Sequence, residues 1–157
     1  VLKPTRVLDL ALNVVVAAAI AWIGTRFAYS TFPSISVAAG ASLLPVAAIE
    51  AALGFVIKAK IAEEKIGDGP KELHPINVAR TVALAKASLQ VGSLAAGVWL
   101  GFLLWVFPQR GTLTAAAADS PGAVVGMFAG SALVAAALWL EYCCRAPEEP
   151  PDEPATT

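Results

Sequence analysis

The sequence predicts an all-α integral membrane bundle of four transmembrane helices, with both termini cytoplasmic. Three observations carry that expectation. Long apolar stretches at about residues 7–25, 35–57, 78–107 and 122–140 occupy most of the 157 residues. Each is near or above the ~20 apolar residues that cross the ~30 Å hydrocarbon core of a bilayer as a helix, and helices satisfy their own backbone where no water can. The composition agrees: 57% of residues are hydrophobic, 15% are charged and mean hydropathy is +0.69, whereas soluble domains sit near ~45–50% apolar and ~25% charged. The third observation is the placement of basic residues. Lys3 and Arg6 precede the first stretch, Lys58, Lys60, Lys65, Lys71 and Arg80 fill or flank the loop after the second, and Arg145 follows the fourth, while the other two loops hold only Arg26 and Arg110. The positive-inside rule places both termini and the 58–77 loop in the cytoplasm, in the inner (plasma) membrane.

The first stretch starts from Thr5 as a helix N-cap. Lys3 and Arg6 resemble the basic region of a signal peptide, and Ala19-Ile20-Ala21 resembles a cleavage site. Asp9 at the start, the length of the apolar run and Trp22 just beyond the cut favour a retained helix. The second stretch takes Ser34 as its cap, and Pro45 removes one backbone hydrogen bond inside it. Residues 58–66 keep helical composition, so this helix is expected to project into the cytoplasm until Gly67-Asp68-Gly69-Pro70 ends it. Pro75 and Asn77 mark the start of the third. An outer loop, 108–120, contains the small-residue run 115–118, with Ser120 as cap and Pro121 at the first position of the fourth helix. Residues 1–145 read as one membrane domain, and 146–157 as a disordered, acidic, Pro-rich tail.

Charges inside such helices cost at least ~2.5–3.5 kcal/mol each, so they mark function or pairing. Glu50 lies seven residues before the end of the second stretch and Lys86 eight after the start of the third. At 1.5 Å per residue both sit on the order of 10–12 Å inside the same boundary. A Glu50–Lys86 pair is the simplest way to carry both, and Gln90, one turn on, extends the polar strip. A satisfied pair fixing helix register, snorkelling of Lys86 to the headgroups, and a proton or substrate site are the three readings. A second polar layer, Asp9, Arg80 and Glu141 with Asn13 a turn deeper, reads as cytoplasmic boundary charge pairing.

Two small-residue ladders stand out, Gly122-Gly126-Gly130 in the fourth stretch and Ser93-Gly97-Gly101 in the third. Residues four apart share a helix face, and smooth strips let helices approach closely. The strips predict packing of one ladder on the other, or a contact with another membrane protein or a second copy.

Nothing in the chain points to an enzyme. No phosphate-binding loop, nucleophile elbow, zinc-protease helix or dinucleotide fingerprint occurs. The single histidine, His74, reads as a loop residue. Cys143 and Cys144 are adjacent, which suits neither a disulfide nor a metal site. No catalytic, cofactor or metal site is expected, and a net charge of −1 gives no reason to expect nucleic acid.

The stretches Lys3-Pro4-Thr5-Arg6, residues 79–88 (ARTVALAKAS) and residues 138–145 (LWLEYCCR) resemble small four-helix membrane proteins of actinobacteria, a domain of unknown function numbered thirty-one eighty. The similarity spans nearly the whole chain. It implies the same four-helix plan and an association with folate-biosynthesis genes, beside which the family's genes often lie. No catalytic residues are assigned to that family, so none is carried over. The expected function is a non-enzymatic accessory or scaffold protein that binds other membrane proteins. The alternative is a small oligomeric carrier or channel built on Glu50 and Lys86. The lipid bilayer is the one partner either reading requires.

Overall fold

The computed structural model describes residues 6–62 and 75–144. The expected Thr5 cap, Lys3, Lys65, Lys71, His74, the glycine turn at 67–70, Arg145 and the 146–157 tail lie outside the described residues. The chain forms α1 (Val7–Ala28), a 3-10 turn (Tyr29–Thr31), α2 (Val37–Ala41), α3 (Leu44–Ala62), α4 (Pro75–Gln109) and α5 (Thr114–Cys143). Among the described residues there is no strand. Among the described residues, four spans are long and apolar enough to cross a membrane: Val7–Thr31, Val37–Ala62, Ile76–Gln109 and Thr114–Cys143.

Several element boundaries differ from the sequence reading. The second span is two helices. α2 ends at Ala41 and α3 begins at Leu44, because Pro45 has no N–H for the Ala41 carbonyl and its ring crowds that oxygen. Ser36, not Ser34, caps the entrance, its hydroxyl accepting from Ala39 N at 3.2 Å. The fourth span begins at Thr114, so the alanine run at 115–118 is helix and not loop. Alanine has the highest helix propensity, and Pro121 two turns in removes only the bond to the Ala117 carbonyl. Ser120 is no cap: its hydroxyl donates to the Ala116 carbonyl at 2.7 Å. At the start of α1 the N-cap is Arg6, without a side-chain cap bond.

α4 and α5 form the antiparallel centre of the bundle, with α1 on α4 and α2 and α3 on α5. α1 runs parallel to α4, Gly97 lying against Val14 and Ala17 and Gly101 against Ala18. α3 runs parallel to α5: Ala47 packs with Leu133 and Ala136, Gly54 lies against Trp139, and Ile57 packs with Leu140 and Ala85. The first two spans, consecutive in sequence, therefore flank different members of the central pair. The interior is built largely of Ala and Gly. Membrane helices gain little from hiding apolar surface, which lipid also covers, so close backbone approach supplies the cohesion.

Cation–aromatic pairs mark both ends of the bundle. Arg26 stands over Trp22 at 5.6 Å and Arg110 over Phe107 at 3.8 Å; at the other end Lys58 stands over Trp139 at 4.9 Å and Tyr142 at 6.0 Å. Amphipathic rings beside basic heads are the usual furniture of a bilayer interface.

Candidate functional site: a buried carboxyl among three helices

α3 presents one face to α5, and successive turns of that face carry Ala47, Glu50 and Gly54. Glu50 is 1% exposed. Its Oε1 accepts a hydrogen bond from the Ser88 hydroxyl of α4. Its Oε2 is buried without a hydrogen-bond partner, and so is Nε1 of Trp139 on α5. The Trp139 ring edge lies against Gly54, one turn from Glu50, where a Cβ would come within 2.7 Å of Nε1. α3, α4 and α5 thus enclose a carboxyl in apolar surroundings. An ionised carboxylate buried this way costs several kcal/mol, of the order of ~20 in the idealised limit. A neutral carboxyl leaves at most one hydroxyl unmatched, at about 1–3 kcal/mol on mutational scales.

The expected Glu50–Lys86 approach gives way to Glu50–Ser88. Lys86 and Ser88 are two residues apart, about 200° around a helix with 3.6 residues per turn. The face of α4 that turns Ser88 to Glu50 therefore sends Lys86 off from nearly the opposite side. Lys86 is half-buried there and engaged in interactions of its own. Gln90 does not extend a strip from Glu50 either: its Oε1 accepts from Asn13 Nδ2, tying α4 to α1. In the second polar layer, Asp9 and Arg80 are exposed, while Glu141 is buried and engaged.

Both ladders are consumed inside the bundle, but not by one another. Gly126 lies against the Trp99 indole and Gly130 against the Ala96 backbone, both on α4. Gly122 meets Ile35 and Ser36 ahead of α2. Gly97 and Gly101 face α1, the correction to the expectation that they meet the α5 glycines. Ser93 is fully buried and its hydroxyl donates to the Gln90 carbonyl at 2.9 Å. α4 thus offers a glycine face to α1 and receives the α5 glycines on Ala96 and Trp99.

Sequence reasoning missed three residues. Ser88 went unnoticed beside the charged Lys86. Gly40 of α2 crosses the α5 backbone at Gly122 and Gly126, outside any ladder. Asp119, 5% exposed, accepts from the Tyr29 hydroxyl at 2.8 Å and from Ile35 N at 2.9 Å. An acidic residue beside an apolar stretch in a loop otherwise lacking acids was the available signal. Cys143 is buried and Cys144 half-buried, both as free thiols. Among the described residues, no three His, Cys, Asp or Glu side chains come together as a metal site.

Four spans of this length and polarity, packed through small residues around a core without a soluble domain among the described residues, define a multi-pass helical membrane protein. The chain belongs to the family described as protein of unknown function DUF3180, whose sequence profile matches residues 10–148. No curated protein and no solved structure matches it.

Proposed function

We propose that the chain is a non-enzymatic accessory protein of the plasma membrane that seats a helix of another membrane protein, or of a second copy, in a furrow on its lipid-facing surface. The observation that carries this reading is the surface on either side of the outward ridge Leu100–Leu104 of α4. On one side Val15, Ala18, Ala19 and Trp22 of α1 wall an apolar recess; on the other, Val124 and Met127 of α5 wall a second. Because the glycine ladders are filled from within, this furrow takes their place as the docking surface. A helix fills such a groove with better van der Waals contact than a mobile acyl chain. The lysine and arginine asymmetry supports a cytoplasmic position for both termini and for the loop between α3 and α4.

A photocrosslinking residue at Leu104, in the full chain purified in mild detergent, tests the reading. A discrete crosslinked protein or dimer is expected, lost when Leu100→Trp fills the furrow. Crosslinks to lipid alone, with no protein partner in either variant, reject it.

One observation favours a second reading. A buried carboxyl with an unpartnered oxygen inside a span suits a small oligomeric carrier or channel that works through Glu50, with Lys86 on the far side of α4.

A further inference from the structure

The geometry points to Glu50 as a proton-binding site within the membrane: we propose that its carboxyl holds a proton on Oε2 at neutral pH, while Oε1 receives the Ser88 hydroxyl bond. This names the ligand for the second reading above, and it stands even if nothing is transported.

Three features converge. The side chain is 1% exposed and one oxygen has no hydrogen-bond partner. The oxygen that is satisfied accepts one hydrogen bond from a neutral hydroxyl, which works against burial but brings no positive charge to hold a carboxylate. The walls are apolar: Ala47 packs against Leu133 and Ala136 one turn away on one side, and Gly54 against the Trp139 ring one turn away on the other.

On α3, Lys58 lies two turns further along, its ammonium over the Trp139 and Tyr142 rings. On α4, Lys86 leaves from nearly the opposite side to Ser88 and is engaged in interactions of its own. On α5, Glu141 is engaged and Cys143 is buried about a turn beyond Trp139. With a hydroxyl as its one hydrogen-bond donor and its second oxygen unpartnered, the carboxyl lowers its cost by keeping a proton.

Infrared spectroscopy of the full chain in lipid vesicles, with 13C-labelled glutamate to separate Glu from Asp, reads the protonation directly. A protonated-carboxyl C=O band at neutral pH is expected, wholly lost in Glu50→Gln and shifted to higher frequency in Ser88→Ala, which removes the hydrogen bond to that carbonyl. Should Glu50→Gln fail to fold, the shift in Ser88→Ala decides. A second readout is dicyclohexylcarbodiimide, an apolar reagent. The acid proton passes to a carbodiimide nitrogen, the carboxyl oxygen bonds the central carbon, and acyl migration to nitrogen leaves a stable N-acylurea carrying the whole reagent mass, at Glu50 in preference to exposed carboxylates. A neutral-pH spectrum without a glutamic-acid band, or a band that Ser88→Ala leaves unmoved and Glu50→Gln leaves intact, overturns the proposal. A failed transport assay alongside a positive band removes the carrier reading and leaves the proton site.

Discussion

The Tyr29 hydroxyl donates to Asp119 Oδ2 at 2.8 Å across 90 residues of chain, joining the end of α1 to α5. The other oxygen of the same carboxylate holds Ile35 N at 2.9 Å, just ahead of α2. One side chain thereby ties three segments at one end of the bundle, while the Tyr29 ring packs tilted against Trp105 at 4.5 Å and Phe102 at 6.1 Å between centroids.

Asp119→Ala should therefore lower detergent thermostability more than Tyr29→Phe does. It leaves a part-buried hydroxyl and a part-buried backbone N–H unmatched, at up to about 1–3 kcal/mol for each group. Asp119→Asn, which keeps an acceptor for Ile35 N, should cost less. Tyr29→Phe removes one bond only and should cost about 0.5–1.5 kcal/mol. Unfolding midpoints of the single variants and of the double variant check this. Strict additivity of Tyr29→Phe and Asp119→Ala would show that the two side chains are not coupled.

Glycines of α1 and α4 separate into crowded and open positions. A Cβ at Gly97 would come within 2.8 Å of the Ala17 Cβ, whereas one at Gly24 meets nothing within 4 Å. Gly97→Leu should push α1 off α4 and lower thermostability sharply. Overpacking of this kind costs about 1–3 kcal/mol or more. Gly24→Ala should be neutral or stabilise by up to ~1 kcal/mol through helix propensity. Equal effects at the two positions would refute the packing of α1 on the Gly97–Gly101 face.

The four spans were legible because bilayer thickness converts an apolar run directly into a helix. What stayed hidden was azimuth and distance along the chain. Glu50 and Lys86 share a depth, and depth alone suggested a pair; the partner, Ser88, is set by rotation about α4 and by how α4 sits between α1 and α5. Ser120 and Pro121 point to a helix start, since serine caps and proline favours the first turn. Both sit inside α5 because the preceding alanines already hold the helix and Ser120 bonds back to Ala116. Asp119 finds partners 84 and 90 residues away, which no local pattern reveals.

Cys144 lies just past the end of α5. Burial first, and then the neighbouring Cys143, push its thiol above the ordinary cysteine value. The thiolate is the reactive form, so at a given pH the folded protein offers less of it than an unfolded chain. Alkylation by iodoacetamide in mild detergent, in a Cys143→Ala background, should be slower than in sodium dodecyl sulfate at the same pH. Its rate should keep climbing with pH after the denatured control has levelled off. A folded rate equal to the denatured one at all pH values would contradict this.

Topology follows from charge placement. With Cys143 and Cys144 replaced by alanine, Lys65→Cys should resist a membrane-impermeant maleimide in intact cells, and Thr112→Cys should react. The basis is the cluster Lys58, Lys60, Lys65, Lys71 and Arg80 against the lone Arg26 and Arg110 of the other two loops. Labelling of Lys65→Cys from outside would invert the arrangement.

Gly40 supplies the sharpest test of how the broken second span is seated. α2 has only five residues and is hinged to α3 through Ser42 and Leu43. Its one buried residue, Gly40, meets α5 backbone to backbone; an added Cβ would fall 2.8 Å from Gly126 N and closer still to the Gly122 carbonyl. No flexible side chain is there to yield, so Gly40→Ala must displace α2 itself. Helix propensity alone favours alanine by ~1 kcal/mol, whereas overpacking opposes it by about 1–3 kcal/mol; the second effect should win, and thermostability should fall. Gly24→Ala, the same substitution in open surroundings, isolates the propensity gain. A Gly40→Ala protein as stable as Gly24→Ala would mean that α2 does not rest on α5, and that the short helix before Pro45 lies free in the lipid.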